Sequence, residues 1–439
     1  MFRKIADAFK VKEIRHRLWF VLLCLVIIRL GSQIPVPGVD SKVFSEWFAS
    51  QSGDAFNFFD AFTGGSFSSM SILALSITPY ITSSIIIQLL TIAIPALEEM
   101  QRDGEDGRKK LTAITRYVTI GLSLLESVAM TIGFGNQGLL GTMSFAKGLT
   151  IVVALTAGSC FLMWIGEQIT DKGIGNGISI VLLINILSRL PADLASLYEM
   201  FIAGKKIAPA VLVAVIIIAI ILVMVVLVLL LNGAQRNIPV QYSKKMVGRR
   251  MVGGQSSHIP LKVNTAGVIP VIFASSIMQL PSIIATFAGQ SNAGGWVGTL
   301  LGICNSNNWF NFSRPLYNIG LIIYILLCIF FAYFYTSITF NPLEVADNMK
   351  KQGGFIPGIR PGRPTSDFLQ ELLKYIIFIG AVGLVIVAII PFFFNGVFNA
   401  SVSFGGTSII IIVGVILETV KQVESMMTVR YYKGFLSED

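Results

Sequence analysis

Histidine, cysteine and charge are scarce in this chain. Its 439 residues include two histidines, His16 and His258, and four cysteines, Cys24, Cys160, Cys304 and Cys328. Cysteines scattered mostly through apolar stretches imply no disulfide framework, and with so few histidines they offer no donor set for a Cys/His metal cage. No metal and no cofactor is expected. Charged residues are 13% of the chain against 54% apolar, with a mean hydropathy of +0.74, which excludes a soluble globule of this length. GxSxG and HExxH motifs, paired membrane aspartates and a Walker phosphate loop are all missing, so the chain does not read as an enzyme.

What it has instead is long apolar runs. A helix needs about 20 apolar residues to cross roughly 30 Å of hydrocarbon. Ten stretches meet that need, near 18–34, 71–94, 112–133, 148–166, 176–200, 207–231, 265–287, 316–338, 372–394 and 406–426. They are far longer than barrel strands and predict an all-α polytopic membrane protein with ten transmembrane helices. The fifth is the least regular, because Arg189 and Pro191 interrupt it. The first follows a basic stretch, yet no small-residue cleavage site closes it and nine more spans follow, so it is expected to be retained.

Most of the 33 Lys and Arg fall in cytoplasmic segments if the N-terminus is inside, which puts both termini in the cytoplasm. Ten spans divide into two halves of five, residues 18–202 and 207–426, with a boundary in the outer loop around Ala203 to Lys206. An odd number of spans per unit makes the second half enter from the opposite face, so the halves are expected to be inverted around a central site. The second and seventh segments occupy matching places and each carries a central proline, Pro79 and Pro270, amid Ser, Thr and Gln. That pattern points to a pore or carrier with its working site between the halves.

Residues 1–17 put Phe2, Ile5 and Phe9 on one face of a basic segment, the pattern of an interfacial helix. Residues 427–439 form a cytoplasmic tail. The loop from Gly233 to Lys262 holds Arg236, Lys244, Lys245, Arg249, Arg250 and Lys262 without one carboxylate. Such a block wants an anionic partner, either anionic lipid or ribosomal RNA or an acidic protein surface. The loop from Phe340 to Pro364 is dense in Gly and Pro and is expected to form a stiff, shaped hairpin.

Four motifs, ITPYITSSIIIQLL at 77–90, GEQITDKGIGNGISI at 166–180, GGQSSHIPLKVNTAGVIPVIFASSI at 253–277 and PGIRPG at 357–362, resemble those of the SecY family of protein translocase subunits. The resemblance runs in order over the whole chain. It implies a passive protein-conducting channel in the bacterial cytoplasmic membrane. Such a channel moves unfolded secretory proteins across and releases hydrophobic segments sideways into lipid. The implied partners are SecE, SecG, the motor ATPase SecA, the ribosome, signal sequences and nascent polypeptides. A pore for unfolded chain must deform around any side chain while holding back ions, which an apolar constriction does by dewetting. By resemblance that pore ring falls on Ile77, Ile81, Ile178, Leu182, Ile272 and Ile411, with Leu182 where isoleucine is usual. Aliphatic residues of membrane helices otherwise serve packing or face lipid.

The same resemblance implies a plug at residues 56–69, with Phe58, Phe59, Phe62, Gly64 and Gly65; the residues alone would equally suit an interfacial loop. It implies a lateral gate between the second and seventh spans, for which Thr82, Gln88, Asn264, Ser275 and Leu280 are the candidates, ordinary helix packing being the other reading. Partner contacts are implied at Arg249, Arg250 and Arg360. The rival class is an ion-coupled secondary transporter of a small solute. That class normally needs buried ionisable groups, and the spans as drawn offer only Glu126 and Arg29, far apart in sequence.

Overall fold

Every one of the ten apolar stretches contributes a helix. The computed structural model describes residues 9–50, 60, 62–141, 144–201, 207–242, 245–247, 250–252, 256–287, 295–305, 308–310, 315–398 and 406–434. Its helices in chain order are α1 (Lys12–Gly31), α2 (Ser41–Ser50), α3 (Thr78–Ala93), α4 (Pro95–Arg102), α5 (Gly104–Asn136), α6 (Phe145–Lys172) and α7 (Gly177–Phe201). After them come α8 (Ile207–Gly233), α9 (Ile269–Phe287), α10 (Gly295–Cys304), α11 (Asn318–Thr339), α12 (Pro342–Lys351), α13 (Arg363–Phe398) and α14 (Gly406–Gly434). The first to tenth spans correspond to α1, α3, α5, α6, α7, α8, α9, α11, α13 and α14. Among the described residues six of these, α5, α6, α7, α8, α11 and α13, are long and apolar enough to cross a membrane unaided. The helix α8 is apolar on all sides and little covered by the rest of the chain, as a helix against lipid should be. The fold is that of a multi-pass, all-α membrane protein.

The packing map repeats. In the first half the first span packs on the fourth and fifth, the second on the third, the third on the fourth and the fourth on the fifth. In the second half the sixth packs on the ninth and tenth, the seventh on the eighth, the eighth on the ninth and the ninth on the tenth. The second list is the first shifted by five spans, with one weaker seventh-to-ninth contact added. The halves meet through the fifth span against the tenth and sixth, and the third against the seventh. The expected boundary between them, Ala203 to Lys206, lies outside the described residues.

Three expectations change. Pro79 and Pro270 do not sit mid-helix: α3 begins at Thr78 and α9 at Ile269, so each proline stands in a first helical turn. There its missing N–H is no loss and its fixed φ suits the helix. The chain before each helix runs in turns, and α3 meets α4 at a bend of 108° at Ile94 and Pro95. The fifth span is not interrupted, since α7 runs through both Arg189 and Pro191.

The third change lies in the loops 233–262 and 340–364. The basic loop is a β-hairpin, β1 (Gln235–Tyr242) antiparallel to β4 (Ser256–Lys262), with β2 (Lys245–Val247) and β3 (Arg250–Val252) paired at its tip. The second loop starts as a helix, α12, whose first turn is set by Pro342 and by Asn341, its Oδ1 accepting the Leu343 N–H over 3.2 Å. That loop then adds β5 (Gly354–Phe355) to the free edge of β1, giving the order β4-β1-β5. Ile238, Val240, Leu261, Met349, Ile356 and Leu369 are packed beneath this sheet. The two loops therefore form one platform.

Candidate functional site

The ring positions come together. Ile77, Leu182 and Ile411 are buried in one apolar cluster, and Ile81, Ile178 and Ile272 pack against it half-buried. Four helices supply the six side chains, each from near its start: α3, α7, α9 and α14. Ile77, the residue that caps α3, and Ile81 lie one turn apart, as Ile178 and Leu182 do on α7. Phe62, from the segment before α3, is buried in the same cluster.

Local sequence explains why the helix starts converge. In GEQITDKGIGNGISI the Asn176 side chain accepts the N–H groups of Ile178 and Ser179 at 3.1 and 3.4 Å and so caps α7. Gly175 sits at φ +88°, a left-handed conformation that favours glycine, and turns the chain back from α6. A Cβ on Gly177 would overlap the Gly166 carbonyl, so a glycine is what lets α7 start hard against α6. Gly158 likewise has room only for hydrogen, because a Cβ there would overlap the Ile72 carbonyl. The stretch from Ile72 to Ile77 is thereby pressed onto α6, which delivers Ile77 to the cluster.

The plug candidates divide. Phe58 and Phe59 lie outside the described residues. Phe62 is buried, and Gly64 and Gly65 both have left-handed backbones, φ +69° and +84°. The Gly64 carbonyl accepts Nη1 of Arg29 over 3.2 Å, and Ser188 Oγ lies 3.3 Å from the same oxygen. Asn185 Nδ2 donates to the Phe62 carbonyl at 3.1 Å and to Ser76 Oγ at 3.0 Å.

Asp60, just before these residues, is fully buried and ion-pairs with Arg189 of α7. The spans as read from sequence gave Arg29 as the only buried base, because Arg189 looked like an interruption of the fifth span. Asp60, Asn185, Ser188 and Arg189 were missed. The one available signal was an unmatched carboxylate in an aromatic segment together with an arginine in an apolar one.

No hydrogen bond joins any two of the five lateral-gate candidates among the described residues. Thr82 and Gln88 are half-buried on α3, and the Thr82 hydroxyl donates back to the Thr78 carbonyl at 3.1 Å. Asn264 is buried and donates from Nδ2 to Oδ1 of Asn232, at the end of α8, over 2.7 Å. Ser275 is buried on α9, and Leu280 is exposed at 52%. Across this seam α9 packs on α5, while α3 and α9 are not an extensively packed pair.

On the platform, Arg360 is exposed between Gly358 at φ +85° and Gly362 at φ +101°, and its carbonyl accepts the Thr365 hydroxyl at 2.8 Å. Ile356 and Ile359 anchor the loop in the cluster under the sheet, so the arginine is carried on a fixed tip. Arg249 lies outside the described residues, and Arg250 opens β3.

Comparison with known proteins gives the family. The SecY family model matches residues 71–420. The protein translocase subunit SecY of Streptomyces galbus is 44% identical over 451 residues, covering 99% of this chain and all of its own. Among solved structures, a SecY protein whose plug domain is described as stabilising the closed state of the translocation channel aligns with a TM-score of 0.62 at 17% identity. That alignment covers 96% of each chain. The yeast Ssh1 complex, solved idle on the yeast 80S ribosome, aligns with a TM-score of 0.62 at 15% identity, covering 94% of this chain and 90% of its own. With ten helices in the same fold, a family match over most of its length and a full-length relative above 40% identity, this chain belongs to the SecY family.

Proposed function

We propose that this chain is a passive protein-conducting channel of the bacterial cytoplasmic membrane, with both termini in the cytoplasm. It carries unfolded secretory proteins across and lets hydrophobic segments pass sideways into lipid. The observation that carries the reading is the meeting of six aliphatic side chains from four helices in one cluster, with Phe62 against it. A ring of this kind excludes water at rest and yields around a polypeptide. The segment carrying Phe62, Gly64 and Gly65 is the plug, and the junction where α3 and α5 face α9 is the lateral gate. Thr82, Gln88, Ser275 and Leu280 are its candidates, with Asn264 tied to Asn232 of α8 just before α9; polar bonds in such a seam average well under about 2 kcal/mol each, so it can part.

The platform of the two cytoplasmic loops receives the motor or the ribosome through Arg249, Arg250 and Arg360, whose guanidinium groups donate in pairs to carboxylate or phosphate. The yeast Ssh1 complex, solved on a ribosome, supports ribosome binding by a channel of this fold. SecE and SecG are its small partner subunits, SecA supplies the push, and anionic lipids meet the basic loop from Gly233 to Lys262.

The test is reconstitution of the chain with its small subunits in proteoliposomes. SecA and ATP should drive an unfolded precursor into the lumen in a signal-dependent way. Uptake of a small solute driven by an ion gradient, without precursor transport, would replace this reading with the transporter.

A further inference from the structure

Four polar side chains converge on the short segment that closes the constriction. Three of them, Asn185, Ser188 and Arg189, lie on one face of α7 at spacings of three and four residues, and the fourth, Arg29, comes from α1. Asn185, Ser188 and Arg29 reach backbone carbonyls, at Phe62 and Gly64. The contact between Asp60 and Arg189 differs in kind, because it joins opposite full charges with Asp60 fully buried.

Asp60 also organises its own segment. Its Oδ1 accepts the Ser68 N–H at 2.8 Å and the Thr63 hydroxyl at 3.4 Å, which leaves Oδ2 for the arginine. Asp193 lies one turn beyond Arg189, is buried, and acts on it electrostatically. The arginine therefore sits between an acid on its own helix and an acid on the segment. A buried pair adds little to stability when intact, but separating it leaves a charge without compensation. That asymmetry suits a two-position device.

We propose that Asp60 and Arg189 form an electrostatic latch that holds the segment around Phe62 and Gly64 beneath the ring and sets how readily it leaves. This rests on the plug reading above. When the segment moves away, Arg189 keeps Asp193 as a partner, so the released state is accessible and the latch is reversible.

The test uses the full complex in proteoliposomes and reads resting ion leak with no precursor present. Asp60→Asn keeps an acceptor for Ser68 and Thr63 and removes only the charge. Asp60→Asn and Arg189→Gln should each raise the leak about tenfold, equivalent to ~1.4 kcal/mol in the closed-to-open balance. The double change Asp60→Asn with Arg189→Gln should be no leakier than either single change, and Arg189→Lys, which keeps the charge and guards against a folding defect, should stay tight.

Deletion of residues 62–65 serves as the reference for a missing plug. A leaky deletion with tight Asp60→Asn and Arg189→Gln overturns the latch and leaves the plug standing. A double change whose leak is the product of the two single effects overturns the pairing. A tight deletion overturns the plug reading itself.

Discussion

Gly64 lies so close to Asn185 that a Cβ built on it would stand 2.9 Å from both the Asn185 Cα and its carbonyl oxygen. Its neighbour Gly65 shares the left-handed backbone but has nothing within 4 Å of the same position. The two glycines therefore separate backbone strain, about 1–2 kcal/mol for a non-glycine residue in this region, from contact.

Gly64→Ala should loosen the segment from α7 more than Gly65→Ala does, since it adds a clash with backbone that cannot move aside. In resting ion-leak assays Gly65→Ala should be about tenfold leakier than the parent, with Gly64→Ala clearly beyond it. Equal leaks for the two would mean that the contact with Asn185 does not hold the segment.

Polar substitution in the ring should stabilise the hydrated, open channel. Ile77 and Ile411 are 0% and 2% exposed, whereas Ile81 is half-buried. Burying an aliphatic side chain stabilises by about 1.5–3 kcal/mol. Ile77→Asn and Ile411→Asn should therefore relax signal selectivity at least tenfold, and Ile81→Asn by less. The measurement is export of a precursor with a defective signal; no gain over the parent would refute the gating account.

Charge reversal at Arg360 should impair SecA-driven transport while the complex still assembles, because the residue is exposed on a loop anchored by Ile356 and Ile359. Arg360→Glu is expected to lower the transport rate by about tenfold or more, the size of a lost charge-assisted contact of 1.5–3 kcal/mol. Unchanged rates with intact assembly would remove Arg360 from the docking surface.

Gly177→Ala should weaken the fold rather than the gate. The added methyl would overlap the Gly166 carbonyl, and overpacking of this kind costs about 1–3 kcal/mol. Thermal unfolding of the purified complex should fall by several degrees. An unchanged Tm would show that α6 and α7 separate there without cost.

The membrane helices were legible because length and apolarity alone determine what can cross lipid, and each of the ten stretches holds a helix. Pro79 and Pro270 were rightly singled out as a matched pair, but hydropathy does not distinguish a proline that kinks a helix from one that starts it. The strand β1 was hidden by Pro239, a residue that argues against strand, although Ile238 and Val240 alternate towards the core on either side of it. The ring came from family resemblance, since isolated isoleucines in a chain this apolar carry no signal of their own. The Asp60–Arg189 pair depends on a contact across more than a hundred residues, which no local pattern encodes.

The central claim is that translocating polypeptide passes through the aliphatic ring. A photo-crosslinking probe in place of Ile81 tests it in membranes with an arrested secretory chain and a signal-deleted chain as control. The account predicts crosslinks to the arrested chain that vanish when the signal is deleted. Absence of crosslinks, with targeting and probe reactivity both demonstrated, would put the path elsewhere and contradict it.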